Sequence, residues 1–305
     1  MRTQGSRTNP RSMMPSTIAC HRLNRRPQQI SALLLLLLTI AAGSAQQSYA
    51  ASQLMVTPTR VVFDGKSRTA QVTVINSGDT TGTYRISLVN KRMTVDGQFE
   101  EVKTPQPGEL FADRMIRFAP RQVVLEPGKS QVVRLSLRKR SNLTAGEYRS
   151  HMLFKAVPQN AGADINTLGS QENISIQLTA IVSIAIPVIV RHGDTNASVS
   201  FASVKYQPAE KPDTTPQLSM EVQRSGNQSV YGDLLSEFVD NTGTSRVVAR
   251  VNGVAVYSPN EKRRIELPLT TPPGVELRNG VLKVYYRSPA SSGSKVLAQT
   301  QINIP

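Results

Sequence analysis

The residues able to make or break covalent bonds are few in this sequence and poorly placed to act together. His151 and His192 stand far apart, and the one cysteine, Cys20, lies in the first fifty residues. Metal sites draw on closer or more numerous ligands. Ser150 and His151 are neighbours, but adjacent side chains on a strand point to opposite faces, so they do not make a nucleophile and its base. After residue 50 there is no Gly-x-Ser-x-Gly elbow and no glycine-rich phosphate loop. No catalytic residue, metal site or cofactor is expected, and the chain reads as a binding protein, not an enzyme.

The chemistry that the sequence does offer is association. From Ile174 every second residue is apolar: Ile174, Ile176, Leu178, Ala180, Val182, Ile184, Ile186, Val188 and Val190. Ser175, Gln177, Thr179 and Ser183 take the other face. Strands usually run about five or six residues, so this one is long enough to project beyond its own domain. Such a face completes another protein's sheet or packs in its own core; the first positions suit either use, and those from Ile184 onward suit the core. An open edge of this kind also invites self-pairing when no client is present. Arg60, which follows Thr57-Pro58-Thr59 at a strand edge, reads on its own as a solvated arginine.

The elements that must position these residues are strands. From Leu54 the dominant period is two: Val72 and Val74, then Tyr84, Ile86 and Leu88, then Val133, Leu135 and Leu137 alternate with polar residues. Turn chemistry separates them at Asp64-Gly65, Asn76-Ser77-Gly78-Asp79, Asp96-Gly97 and Pro127-Gly128. No helical spacing appears after the leader. This pattern predicts an all-β chain with an antiparallel, immunoglobulin-like sandwich over residues 51–190. Pro158 to Gln171 is polar and aperiodic, which predicts a long loop ahead of the alternating strand. After Arg191-His192-Gly193-Asp194 the register changes, so 191–196 is read as a hinge and 197–305 as a second β-sandwich. Its expected strands include Leu218–Val222, Leu234–Phe238, Val247–Val251, Val254–Tyr257, Ile265–Leu267, Val281–Tyr286 and Val296–Ile304.

Residues 1–50 read as a cleaved signal peptide. Six arginines and no acid precede an apolar run centred on Leu33 to Leu38, and Ser48-Tyr49-Ala50 supplies a small-residue cleavage region. The run is short of the roughly 20 apolar residues that a membrane span requires. Of the formal net charge of +15, the leader carries +6, leaving +9 on the exported chain. Those charges are scattered, with no run longer than Arg138-Lys139-Arg140 and no interleaved aromatics, so a nucleic-acid partner is not expected. An exported chain without disulfides must be held by apolar cores alone, and its length suits two sandwiches.

Four blocks of the first domain resemble the periplasmic pilus-assembly chaperones, the PapD-like family. Arg60-Val61-Val62-Phe63-Asp64-Gly65 is similar to the family's opening strand and turn. Leu125-Glu126-Pro127-Gly128 followed by Val133-Arg134-Leu135-Ser136 resembles its central segment. Glu147 to Pro158 keeps the spacing of the family signature, with His151 and Leu153 in place of an aromatic and an Asn. The strand opening at Ile174 stands where the family has its subunit-binding strand. The resemblance implies two immunoglobulin-like sandwiches set at an angle, and a periplasmic chaperone that stabilises pilin-like fibre subunits by donor-strand complementation and delivers them to an outer-membrane usher.

It further implies subunit-binding roles for Arg60, Ile174, Ile176, Leu178, Ala180 and Val182, with Arg60 anchoring the subunit's terminal carboxylate. The family's partner lysine falls near Val182-Ser183, where neither residue is basic, and Arg191 is the nearest candidate for a cleft cation. The family's arginine partner for Glu147 falls near Pro187 and the acidic partner near Asn279, so this internal salt bridge is not expected to form as in the family. A different class of protein, a structural sandwich or adhesin retained in a surface fibre, shares the same strand pattern.

Overall fold

The computed structural model describes residues 53–158, 181–211, 214–271 and 275–305. The signal peptide expected over 1–50 lies outside the described residues, as do Ile174, Ile176, Leu178 and Ala180. Alternation of apolar and polar residues produces strands throughout. In the first half these are β1 (Leu54–Thr57), β2 (Val61–Phe63), β3 (Thr69–Asn76), β4 (Gly82–Val89), β5 (Lys91–Met93), β6 (Phe99–Glu101), β7 (Ile116–Ala119), β8 (Gln122–Leu125), β9 (Ser130–Leu137), β10 (Gly146–Val157) and β11 (Ser183–His192). One sheet has the order β1-β3-β9-β7 and the other β2-β11-β10-β4-β8, while β5 and β6 form a separate hairpin. Val72, Val74, Val133 and Leu135 of the first sheet meet Tyr84, Ile86, Met152, Phe154 and Val188 of the second in one apolar cluster. Each large side chain buried there contributes about 1.5–3 kcal/mol.

The second half folds as β12 (Ala197–Gln207), β13 (Gln217–Gly226), β14 (Val230–Val239), β15 (Ser245–Val256), β16 (Lys262–Pro268), β17 (Gly280–Arg287) and β18 (Val296–Ile304). Its sheets are β12-β13-β16 and β15-β14-β17-β18. Leu218, Met220, Phe238, Leu267, Leu282 and Val284 fill the space between them. The two strands expected at Val247–Val251 and Val254–Tyr257 are one strand, β15, with a bulge where Gly253 takes a positive φ of 73°. The Asp233 carboxylate accepts the Gly253 N–H there, at 2.9 Å, so a turn-like sequence is held inside a ladder. β12 has no counterpart among the expected strands. Its register shifts between Ala202 and Lys205, which breaks the period-two pattern in mid-strand.

The two sandwiches share a third apolar cluster. Met93 of the hairpin and Ile189 of β11 pack with Val222, Leu234, Val256, Tyr257 and Tyr286 of the second sandwich. Ile189 points away from its own core because it is one residue out of phase with Val188 and Val190. At Ile189 the second face of β11 is thereby covered as well, which the alternating pattern alone did not indicate.

An open strand margin beside an arginine-lined cleft

β11 lies antiparallel to β10 from Gly146 opposite His192 to Lys155 opposite Ser183. The Ala156 N–H extends the pairing by donating to the Val182 carbonyl at 3.1 Å. On its other side β11 meets only the short β2, in parallel, at Val188 to Val190. Among the described residues, Ser183 to Pro187 therefore have a strand on one side only. Ile186, Val188 and Val190 are sealed in the core with Ile184 against it. Val182 has the same parity as these yet is 57% exposed, and Ile181 is 48% exposed. Among the described residues the core side of this strand ends at Ile184, and Ile181 and Val182 ahead of it present exposed apolar side chains. A strand paired on one side only is a template for an added strand.

Arg60 directly precedes β2 and is half-buried. Its guanidinium lies 4.5 Å from the centre of the Tyr231 ring and 5.8 Å from that of Tyr257, both from the second sandwich. Its Nη1 is buried without a hydrogen-bond partner. Arg60, Val62, Arg191, Ser229, Tyr231 and Leu297 are among the residues lining a cleft of about 540 Å³. The structure thus brings Arg60 and Arg191 to one cleft. Arg60 lines this cleft, and the forked donors of a guanidinium suit a carboxylate.

Arg191 also corrects one expectation. The arginine partner of Glu147 does not fall near Pro187: Arg191 Nε donates to Glu147 Oε2 at 3.2 Å. The register explains it, because the two residues are direct cross-strand partners on the same face. In place of an acid near Asn279, Ser229 completes the arrangement, with its N–H donating to Glu147 Oε2 at 3.2 Å and its hydroxyl to Oε1. Glu147, from the first sandwich, is thereby held by a backbone and side chain of the second.

Farther along the same face of β10, Arg149 and His151 are buried polar side chains. Arg149 Nη2 donates to the Lys91 carbonyl at 3.2 Å and its guanidinium lies 4.1 Å from the Tyr257 ring centre, while Nη1 has no partner. Burial holds the Arg149 pKa below the ordinary arginine value. His151 has no partner at either ring nitrogen and meets Phe99 edge-on, with ring centres 5.1 Å apart. Burial, then Arg149 and Lys91, push its pKa down to about 3. The spacing Glu147, Arg149, His151 could have flagged one shared polar face. Nothing in the sequence pointed to Tyr231 or Tyr257 as the neighbours of Arg60.

The described residues form an all-β protein of two sandwiches, in which Ser183 to Pro187 of β11 pair on one side only and Arg60 and Arg191 line one cleft. Residues 53–191 match the family model for the pili and flagellar-assembly chaperone, PapD N-terminal domain. The match spans the first sandwich and ends before the second begins. Among solved structures, the chain is similar to the CupB2 chaperone of Pseudomonas aeruginosa, at 13% identity and a TM-score of 0.42 over 82% of this chain and 100% of that one. It is similar also to a chain of the CsuC–CsuE chaperone-tip adhesion subunit pre-assembly complex of Acinetobacter baumannii, at 12% identity and a TM-score of 0.42 over 83% and 100%. A third is from the SafA pilin–SafB chaperone complex of Salmonella enterica, at 13% identity and a TM-score of 0.37 over 83% and 97%. No curated protein matches the chain.

Proposed function

We propose that this protein is a periplasmic chaperone for pilin-like fibre subunits. In this reading it lends the margin of β11, and the alternating residues Ile174, Ile176, Leu178, Ala180 and Val182 that lead into it, to complete an unfinished subunit sandwich. It then delivers the subunit to an outer-membrane usher. The single observation that carries the reading is that, among the described residues, Ser183 to Pro187 of β11 pair on one side only while Val182 just ahead of them is exposed. Backbone hydrogen bonds to an added strand give sequence-tolerant affinity, while alternate side chains fill the groove of the client. Arg60, aided by Arg191, would meet the client's terminal carboxylate at the cleft. A free copy would shield the same margin by pairing with a second copy.

The test is co-expression of the chain with the fibre subunits of its own organism, followed by recovery of one-to-one complexes from periplasmic extract. Ile176→Asp and Val182→Asp should abolish recovery while the free chain stays folded by circular dichroism. Variants that unfold the free chain would mean that these residues belong to its core. Recovery of the chain as a fixed component of sheared surface fibres would replace the chaperone reading with a structural one.

A further inference from the structure

Resting on the proposed carboxylate-binding role of the cleft, we infer that Tyr231, on β14 of the second sandwich, is the positioning residue that holds Arg60 ready for a carboxylate. Among the described residues no acid pairs with Arg60. What holds its guanidinium is aromatic, with Tyr231 the nearer ring at 4.5 Å and Tyr257 behind it at 5.8 Å. A cation–π contact of this kind holds the guanidinium without using a hydrogen-bond acceptor, so it does not consume an N–H donor as a salt bridge would. Nη1 is buried and has no hydrogen-bond partner, so no bond within the protein holds the fork. A carboxylate clamp needs its fork fixed but unoccupied, and a salt bridge would fix it only by occupying it.

The arrangement has a second consequence. Arg60 belongs to the first sandwich, just ahead of a three-residue strand that among the described residues pairs only with β11. Tyr231 belongs to the second, pairing on β14 with Ala255 of β15. An arginine on so short a segment has little local structure to set its rotamer, and a flexible side chain loses that freedom on binding. Support from Tyr231 removes part of this loss in advance. Carboxylate affinity at Arg60 then depends on the seam between the sandwiches, although Tyr231 itself need not touch the client.

The experiment uses the full exported chain and two twelve-residue peptides of alternating valine and threonine, one ending in a free carboxylate and the other in an amide. The wild type is expected to prefer the acid by about tenfold, the scale of one charge-assisted fork. Arg60→Ala should remove that preference. Tyr231→Leu should cut it to about twofold with amide affinity unchanged, because the ring face that orients the fork is gone. Tyr231→Phe, which keeps the face, should retain the wild-type ratio. In parallel, the Arg60 Hε resonance should carry a ring-current shift in the free wild type and in Tyr231→Phe, and a clearly smaller one in Tyr231→Leu, where only the more distant Tyr257 ring remains. If Tyr231→Leu does not fold, Tyr231→Met replaces it, matching the bulk without a π face. A wild type that binds both peptides alike would defeat the carboxylate reading of the cleft. A wild type that prefers the acid beside a Tyr231→Leu variant that prefers it equally would defeat the role of Tyr231 alone.

Discussion

His151 is sealed in the middle of β10, beneath Phe99 of the β5–β6 hairpin, with neither ring nitrogen hydrogen-bonded. The charged groups that act on it are Arg149 on its own strand and Lys91 on β5, both cations. Protonation would place another positive charge there without water or an acceptor, which a buried site resists. The native imidazole therefore stays neutral down to about 3, whereas in the unfolded chain it takes a proton near 6.5. The folded pKa is the depressed one, so this histidine costs nothing above the unfolded value and lowers stability as the pH falls from about 6.5 toward 3. Between pH 7 and 5 the loss comes to about 2 kcal/mol, set almost wholly by the unfolded-state pKa. Denaturant midpoints at the two pH values should show it. His151→Phe, which restores the aromatic character of the family signature, should flatten the dependence by that amount. An unchanged slope would mean that the ring gains a partner or solvent when charged.

The β5–β6 hairpin is the element that joins this region to the rest of the chain. At its tip the Arg264 N–H of β16 donates to the Val95 carbonyl at 2.8 Å, and Arg264 Nη1 meets Asp96 at 2.8 Å. Just before the turn Asn260 Nδ2 donates to the Met93 carbonyl at 2.7 Å. Gly97 makes the tip possible. Its φ is 83°, and a Cβ there would run into the Arg263 guanidinium. Gly97→Ala should cost about 1–2 kcal/mol at the hairpin, so the Arg264 amide should exchange about tenfold faster with solvent while amides in β3 and β9 keep their rates. The Asp96-Gly97 turn was legible in the sequence, because turn chemistry is local. That the hairpin leans on β16 was not, since Arg264 lies 168 residues from Asp96 along the chain. A period of two reports that a face is covered, never by what. Likewise the alternation from Ile184 to Val190 identified the core side of β11, yet the Glu147–Arg191 pair emerged only with the register of β10 against β11. Arg60 was legible as a residue type, and its Tyr231 support was not.

At the scale of the whole molecule, the seam between the sandwiches combines an apolar cluster with one buried acid. Met93 and Ile189 enter the cluster from the first half. Beside them Glu147, only 4% exposed, accepts from Arg191 Nε, the Ser229 N–H and the Ser229 hydroxyl. Arg224 of β13 is buried near it, with its guanidinium bonded to the carbonyls of Asn260, Gly226 and Gln228 and with Glu147 favouring its charge. A carboxylate at this point ties the strand that carries the open margin to the second sandwich. Removing one partner of a buried pair is costly because the other charge is left behind, by about 3–5 kcal/mol when both are sealed. Arg191 keeps a quarter of its side chain in solvent, which screens part of its stranded charge. Glu147→Ala is therefore expected to destabilise by about 2–3 kcal/mol, below the fully buried figure. Calorimetry should show more than a lower midpoint. With the tie gone, the single transition of the wild type should divide into two, one for each sandwich. Adding Arg191→Ala should recover part of the midpoint by removing the stranded cation, but should not rejoin the transitions, because the Ser229 contacts stay lost. A single, merely shifted transition in Glu147→Ala would mean that the apolar cluster alone couples the two halves, and that Glu147 contributes stability without contributing to their union.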